Sequence, residues 1–351
     1  MINPMKSEYR AEKRKNITFI LVFTLLALGS FFLTLGFGIY DISLSSSIQT
    51  FLDCLLGKEV DPSAYRYIWE VRTPRAIGAI VSGAALSVAG VVMQNNFRNP
   101  LAEPYTMGIS SGAFLGAVLS IVSGIALIPV FSGDLALVSN AFVLSLVPTL
   151  IIIVATKFKK LTPTAMILLG IAVMYLFSSI CQLILVTAPS ESLADAYSWR
   201  VGSFSEVRWK SLPLMIGVSV PSIACIWILN RKLNIMYAGD RGAQTLGENA
   251  RRIRIVTLLI VSLMTASIVS FTGTIGFIGL VGPHVARIFV GSDNKYLIPA
   301  SMAFGAAFML LADTVAKVSG SNGLPVGVIS AMVGGPLFMW ILIRQKRNAW
   351  V

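Results

Sequence analysis

The sequence predicts an all-α polytopic membrane protein with about ten transmembrane helices and both termini in the cytoplasm. Hydrophobic residues make up 55% of its 351 residues and charged residues only 13%, which excludes a soluble globular domain and a disordered chain. The charged residues also divide the chain into long uncharged windows, as membrane spans require. When these windows are taken as spans, most of the basic residues fall on one side of the membrane.

The uncharged windows give the number of spans, because a helix needs about 20 apolar residues to cross the hydrocarbon layer. Nine windows have roughly this length or more: 16–40, 76–97, 104–133, 135–156, 161–190, 211–230, 255–286, 296–312 and 318–343. The window 255–286 is too long for one helix and contains TGTIG at 272–276. We therefore divide it into a span that begins near Arg252 and one that continues past Arg287 towards Gly291. The count becomes ten.

The first window is predicted to be a retained span rather than a signal peptide. It holds 25 uncharged residues between Lys15 and Asp41, which exceeds the roughly 7–15 residues of a signal-peptide core. With the N-terminus in the cytoplasm, 20 Lys and Arg residues lie on the cytoplasmic side and 8 on the other. The net charge of +12 is thus explained by topology and does not call for a nucleic-acid partner.

The longest polar stretch between apolar runs is NRKLNIMYAGDRGAQTLGENARRIR, residues 230–254. Its six basic residues place it in the cytoplasm. Residues 243–246 favour a helix, and Gly247 is typical of a residue that ends one. The sequence therefore predicts two short helices on the membrane surface that a cytoplasmic partner recognises.

Residues with catalytic or metal-binding chemistry are sparse. No GxxxxGK[ST] phosphate-binding loop is present, and no nucleophile with a base and oxyanion donors can be recognised, so the chain is not predicted to be an enzyme. The three cysteines are scattered and there is one histidine, His284, which we interpret as structural; no metal or other cofactor is predicted. Charged residues are rare inside the spans, which argues against a secondary carrier or channel. A scaffold or receptor without transport is a further alternative.

Two smaller patterns remain open to two interpretations. Glycines recur at 108, 112 and 116 and again at 273, 276, 279 and 282; we interpret both sets as close helix contacts rather than ligand sites. The loop RNPLAEP at 98–104 carries two prolines, so it is stiff and lies at the cytoplasmic end of two spans. It forms either a constriction in a pathway or only a tight turn between spans.

Several motifs, in order along most of the chain after about residue 65, resemble the FecCD family of ABC importer permeases for iron-siderophores, haem and cobalamin. They are VRTPRAIGAIVSGAALSVAGVVMQNNFRNPLAEPYTMGISSGAFLGA (71–117), GSFSEVRW (202–209), LGENA (246–250), GTIGFIGLVGPHVARIFVG (273–291), LLADTVAK (310–317) and LPVGVISAMVGGPLFMW (324–340). The resemblance implies a type II ABC importer permease fold with ten spans and cytoplasmic termini. It implies one permease domain over 1–351, with cytoplasmic tails at 1–15 and 344–351 and an ATPase-docking segment at 231–254.

The resemblance also implies roles for individual residues. The cytoplasmic gate would include Asn99 and Leu101, and the region 187–199 would hold a short outer gate helix. Contact with the ATPase would fall on Leu246, Gly247, Glu248 and Arg251. Docking of a substrate-binding protein would fall on Arg72, Arg75 and Lys317. Arg72 and Arg75 are alternatively ordinary anchors at a span boundary, Lys317 replaces a usual arginine and loses its bidentate geometry, and Gly323 replaces a frequent glutamate, so no contact is expected there.

The transport system implied by the resemblance is an importer in the cytoplasmic (inner) cell membrane. The permease would be a homodimer in the lipid bilayer with two ABC ATPase subunits, which use ATP and Mg, and an extracytoplasmic substrate-binding protein. An iron(III)-siderophore is the first expectation for the substrate, and cobalamin or haem are alternatives, since no residue of the sequence chooses among them.

Overall fold

The computed structural model describes residues 4–38, 40, 42–159, 161–320 and 323–344, and no strand occurs in these ranges. The helices are α1 (Pro4–Gly36), α2 (Leu44–Leu55), α3 (Pro62–Ala64), α4 (Thr73–Phe97), α5 (Ile109–Ile121), α6 (Gly133–Phe158), α7 (Pro163–Val186), α8 (Ser190–Val201), α9 (Leu212–Ile228), α10 (Asn230–Met236), α11 (Gly239–Thr245), α12 (Ala250–Thr272), α13 (Ile278–Val290), α14 (Asn294–Val318) and α15 (Val326–Arg344). A π-helical segment, Tyr65–Arg72, joins α3 to α4, and a 3-10 turn, Pro104–Met107, precedes α5. Parts of the predicted tails, 1–3 and 345–351, lie outside the described residues.

Six helical stretches are long and apolar enough to cross a membrane: α1, the continuous helix 62–97 that ends with α4, α6, α7, α12 and α14. The pair α9 and α10, bent by 62°, is a seventh candidate, and α5, α13 and α15 are shorter apolar helices. Eight of the nine predicted windows each correspond to one of these helices or to the bent pair, and window 255–286 corresponds to two, α12 and α13. The division of window 255–286 is confirmed, because α12 ends at Thr272 and α13 begins at Ile278.

The third window, 104–133, forms a shorter helix than its length suggested. Its helix α5 has only 13 residues and starts after Gly108, which has a φ of +84°. The apolar residues that follow fold as a loop, where Gly124 has a φ of +62° and Pro129 opposes a helix. Asn140 of α6 holds this loop by accepting from the Leu127 amide at 2.9 Å and donating to the Ile125 carbonyl at 2.7 Å.

The centre of the molecule is α4, which is buried along nearly its whole length and packs against α9, α12, α13 and α14. Its approach to two neighbours is backbone to backbone. A Cβ on Gly83 would collide with the carbonyl of Gly305 in α14, and one on Gly90 with the carbonyl of Gly279 in α13. Such contacts are typical of membrane helices that associate through small residues.

The glycine steps of α5 lie in the same kind of contact. A Cβ on Gly112 or Gly116 would collide with the carbonyls of Leu144 and Asn140 in α6. The interpretation of this set as a helix contact is therefore confirmed at both positions. In the second set, Gly279 and Gly282 face α4, whereas a Cβ on Gly276 would meet no atom within 4 Å.

Two outer helices complete the fold. One is α2, a 12-residue amphipathic helix that was not predicted and is too short for a span; its Phe51 contacts Phe31 and Trp69. In contrast, α8 falls in the region where the resemblance implies a short outer helix. It begins directly after Pro189, whose ring fixes a φ suited to the start of a helix.

Candidate functional site

The predicted docking segment folds as two short helices, α10 and α11, followed by an exposed turn. The helix α11 ends as predicted because Gly247 takes a φ of +79°, which lets the Glu248 amide donate to the Ala243 carbonyl at 2.9 Å. Leu246 is 62% exposed, and a Cβ on Gly247 would meet no atom within 4 Å. The turn formed by residues 246–248 thus projects from the rest of the chain.

The basic residues of this segment have different surroundings. Lys232 pairs with Glu248 at 3.1 Å and steadies the turn. Arg251 donates from its guanidinium to the Thr156 carbonyl near the end of α6. The predicted helices were both expected on the membrane surface, but residues 251–254 form the first turn of the span candidate α12. Of the four predicted coupling residues, three form the projecting turn and Arg251 ties it to α6.

The loop that would hold the cytoplasmic gate is a compact turn. It begins at Arg98, which ends α4 in the left-handed conformation with a φ of 47°. Asn99 accepts through Oδ1 from the Leu101 amide at 2.9 Å and through its carbonyl from the Ala102 amide at 3.1 Å. Leu101 lies at the tip and is 48% exposed. The two predicted gate residues therefore belong to one rigid turn with an apolar tip.

The loop at 98–104, called the gate loop after its predicted role, is in direct contact with the docking segment. The Arg98 guanidinium lies over Gly239 of α11, where a Cβ would come within 2.7 Å of Arg98 Nη1. Arg254, 3% exposed, donates from Nε to the Asn96 carbonyl at 3.0 Å and from Nη2 to Asp240 at 2.8 Å. The hydrogen bond and positive charge of Arg254 lower the pKa of the Asp240 carboxyl.

A second buried chain of amides joins α10 to the same end of α4. Asn95 donates to Asn294 at 2.7 Å, and Asn294 donates to Asn234 of α10 at 2.7 Å. Asn234 in turn donates to Asp293 at 2.8 Å. These residues were not predicted from the sequence, although three consecutive amide side chains in an uncharged window, 94–96, were a signal that they required buried partners.

The three cations predicted to dock a binding protein lie together at the other end of the helices, but they turn inward. Arg75 contacts Asp313 at 2.7 Å from Nη2 and 3.0 Å from Nε, and Lys317 lies 3.3 Å from the same carboxylate. Arg72 is 5% exposed and donates to the carbonyls of Leu35 at 2.7 Å and Tyr40 at 2.6 Å. Arg72 thus ties the end of α1 to the start of α4, and its role in docking stays a prediction.

These cations form the floor of a cavity of about 1300 Å³. Its basic lining residues are Arg66, Arg72, Arg75, Arg208, Lys210 and Lys317, and its acidic ones are Asp134 and Glu206. Aromatic side chains, among them those of Tyr67 and Trp199, complete the wall. The cavity is therefore positively charged, and its exposed rim cations are available to an acidic partner or an anionic ligand.

Within the described ranges no three His, Cys, Asp or Glu side chains lie close enough to hold a metal ion. His284 is buried in α13 and places its Nδ1 2.8 Å from the Leu280 carbonyl and 3.4 Å from the Gln94 amide. This contact between α13 and α4 agrees with the interpretation of His284 as structural.

Comparison with known proteins matches residues 25–344 to the model of the FecCD transport family. The hemin transport system permease protein of Yersinia pestis is 34% identical over 345 residues, which cover 97% of this chain and 98% of that protein. A vitamin B12 import system permease protein of Shigella boydii is 31% identical over 339 residues, 96% of this chain and 98% of the relative.

Among solved structures, one assigned to the metal-chelate type of ABC transporter and captured in an inward-facing conformation has a TM-score of 0.82. It is 28% identical, and the match covers 93% of this chain and 99% of that one.

Proposed function

The chain belongs to the FecCD transport family of ABC importer permeases, and on that premise we propose that it moves a metal chelate across the cytoplasmic membrane. An iron(III)-siderophore is the first candidate. The observation that carries this proposal is the likeness over 93% of the chain to a transporter assigned to the metal-chelate type. Relatives named for hemin and vitamin B12 transport keep these two ligands as alternatives.

The proposed topology has ten spans with both termini in the cytoplasm. Six long helices, the bent pair α9 and α10, and the three shorter apolar helices α5, α13 and α15 supply the ten crossings. The division of 20 basic residues against 8 supports this orientation. The shorter helices lie beside helices long enough to span, so that their ends need not reach lipid headgroups on both sides.

The proposed assembly is a homodimer with two ATPase subunits on the cytoplasmic side. The ATPases would bind and use ATP and Mg, because this chain has no phosphate-binding loop. The projecting turn of Leu246, Gly247 and Glu248 would enter the ATPase surface. Closure of the ATPase pair would then move the docking segment and change which side of the pathway is open, with Asn99 and Leu101 at the cytoplasmic gate.

On the opposite side, a substrate-binding protein would dock over the basic cavity. Arg75 and Lys317 line the cavity and pair with the buried Asp313, and the exposed rim cations Arg66 and Lys210 would reach acidic residues of the binding protein first. Mutation of rim cations is expected to slow association and to make it less dependent on salt.

The experiment that tests the function uses proteoliposomes that contain this chain with its ATPase and its binding protein. ATP-dependent uptake of labelled ferric siderophore, and not of labelled vitamin B12 or hemin, is the expected result. Uptake by the permease alone without ATP would overturn the proposal in favour of a secondary carrier.

The docking turn is tested separately by capture of the ATPase on the immobilised permease. Glu248→Arg should abolish capture, since it reverses the charge of the projecting turn. Glu59→Arg, an exposed change in the loop before α3, is the matched control and should leave capture intact. Equal capture by both variants would exclude the turn as the docking site.

A further inference from the structure

We propose that Arg254, Asn96 and Asn294 form a buried mechanical link that makes the gate loop follow the docking segment. The inference rests on the proposed function, because it assumes that the ATPase moves α10 and α11 and that the loop after α4 is a gate. The residues of the link belong neither to the projecting turn 246–248 nor to the gate residues Asn99 and Leu101. Their role is to position the gate loop relative to the docking segment.

The first half of the link runs through Arg254. Asn96 lies in the last turn of α4, where carbonyls have no partner within the helix. Arg254 supplies that partner with Nε at 3.0 Å, while its Nη2 binds Asp240 of α11 at 2.8 Å. The Asn96 side chain also donates to Thr257 at 2.9 Å. One buried guanidinium thus joins α11, α12 and the end of α4.

The second half runs through Asn294, the first residue of α14. The Asn294 side chain accepts from Asn95 at 2.7 Å and donates to Oδ1 of Asn234 in α10 at 2.7 Å. The backbone amide of Asn294 donates to the same Asn234 oxygen at 2.9 Å. Asn95 and Asn294 are fully buried. Both short helices of the docking segment are therefore tied to two consecutive residues of α4.

From these residues the path to the gate is short and stiff. Asn99 follows Asn96 by three residues, and its amide donates back to the Gln94 carbonyl at 3.3 Å. Arg98 lies over Gly239, which adds a contact outside the buried network. Buried polar groups that lose their partners have no water to replace them, so the segment and the end of α4 move together more easily than apart.

The test compares coupling in three variants reconstituted with the ATPase and the binding protein. Arg254→Gln removes the charge and the fork, Arg254→Lys keeps the charge alone, and Arg252→Gln is the matched control because that exposed arginine lies in the same helical turn. We measure ATPase capture, ATP hydrolysis and uptake in the same preparation. Arg254→Gln should keep capture and hydrolysis while the amount transported per ATP falls by about tenfold. Arg254→Lys should keep part of the transport per ATP that Arg254→Gln loses, and Arg252→Gln should leave the transport per ATP unchanged.

Uptake and hydrolysis that fall in equal proportion, or that do not change, would overturn the link. Absence of ATP-dependent uptake in the unmodified chain would instead refute the proposed function. If Arg254→Gln does not fold, Asn294→Ala provides the second route. Spin labels at Leu101 and at Arg241 of α11, both exposed, should then keep their distance when nucleotide binds to the unmodified complex, because the link moves the two together, and should change their distance in the variant.

A second inference comes from a groove at the basic end of α1. Its volume is about 870 Å³, and its lining residues are Arg10, Ala11, Arg14, Lys15, Thr18, Phe19, Val22, Phe23 and Phe289. Three cations lie at one end and apolar side chains at the other, where Phe19 stacks on Phe289 at 5.0 Å. None of the three cations pairs with a carboxylate in the part of the chain that the structure describes.

We infer that this groove binds an anionic phospholipid. The boundary between charged and apolar residues at Asn16 places the cations at headgroup depth, where they can contact a phosphate. An acyl chain would then lie along the apolar end formed by Phe19, Val22 and Phe23. A neutral groove would bind lipids without regard to headgroup charge. The three unpaired cations favour a negatively charged headgroup.

The test is retention of phosphatidylglycerol against phosphatidylcholine by the purified chain, measured by native mass spectrometry. The double variant Arg14→Gln with Lys15→Gln should bind phosphatidylglycerol about thirtyfold more weakly, since each basic residue near an anionic headgroup contributes about fivefold. Lys13→Gln is the control, because Lys13 is exposed but does not line the groove. The inference would be overturned if the double variant retained phosphatidylglycerol as well as the unmodified chain does. It would also be overturned if inorganic phosphate alone bound the groove as well as phosphatidylglycerol does.

Discussion

Asp313→Asn is expected to be strongly destabilising, because Asp313 carries the buried ion pairs beside the basic cavity. The carboxylate of Asp313 is fully buried and accepts from Arg75 at 2.7 Å and 3.0 Å and from Lys317 at 3.3 Å. An amide of the same shape would leave both cations without a countercharge. Removal of one partner from a buried ion pair costs about 3–5 kcal/mol.

The assay is thermal unfolding of the purified chain in one detergent. At about 2 °C per kcal/mol, Asp313→Asn should lower the melting temperature by about 6–10 °C. Asp53→Asn is the control, since Asp53 pairs with the exposed Lys58 at 3.0 Å. Such a surface pair contributes about 0–1 kcal/mol. Addition of Arg75→Gln to Asp313→Asn should recover part of the loss by removing one unpaired cation.

The reasoning would be refuted if Asp313→Asn were as mild as Asp53→Asn. That result would mean that water reaches Arg75 and Lys317, so that the cluster is a solvated surface and not a buried one. The double variant separates the two cases, because recovery on addition of Arg75→Gln is expected only if the cations are desolvated.

Three further predictions concern the docking segment and the helix packing. Gly247→Ala should destabilise the turn by about 1 kcal/mol and weaken ATPase capture, because alanine is strained at the positive φ of this residue; a Cβ would meet no nearby atom, so no steric clash adds to the cost. Isothermal titration measures the capture. The lowered pKa of the Asp240 carboxyl stabilises the fold above its ordinary pKa, near pH 4, and this contribution is lost as the pH falls through the lowered pKa; Asp240→Asn should remove this part of the pH dependence of melting curves. Gly112→Ala should lower the melting temperature because its Cβ would collide with the Leu144 carbonyl, whereas Gly29→Ala, with no atom within 4 Å, should not.

The positions and order of the apolar helices could be predicted from the sequence, because uncharged windows and glycine breaks are local features. The break at 273–276 and the end of α11 at Gly247 are examples. The length of α5 could not be predicted from its window, since apolar composition does not distinguish a helix from the loop that Asn140 holds in place.

The candidate sites were harder to predict because their partners are distant in the sequence. Arg75 precedes Asp313 by 238 residues, so the sequence presented a boundary cation and the structure a buried ion pair. The pairing of Lys317 with Asp313 was easier to predict, since the two residues are four positions apart on one helix. Arg254 was counted only as a basic residue that sets topology, because nothing local indicated that Asn96 and Asp240 lie on either side of it.

The way in which the end of α1 is held has a consequence for the assembly of the protein during synthesis. The Leu35 carbonyl in the last turn of α1 accepts from Arg72, which lies 37 residues later in the chain, and the Thr34 hydroxyl accepts from Lys317, which lies 283 residues later. The helix α1 therefore leaves the ribosome long before its last hydrogen-bond donors do. The C-terminal end of α1 becomes fixed only when α14 is in place, so a chain that stops before Lys317 offers quality-control proteases an unfinished first helix.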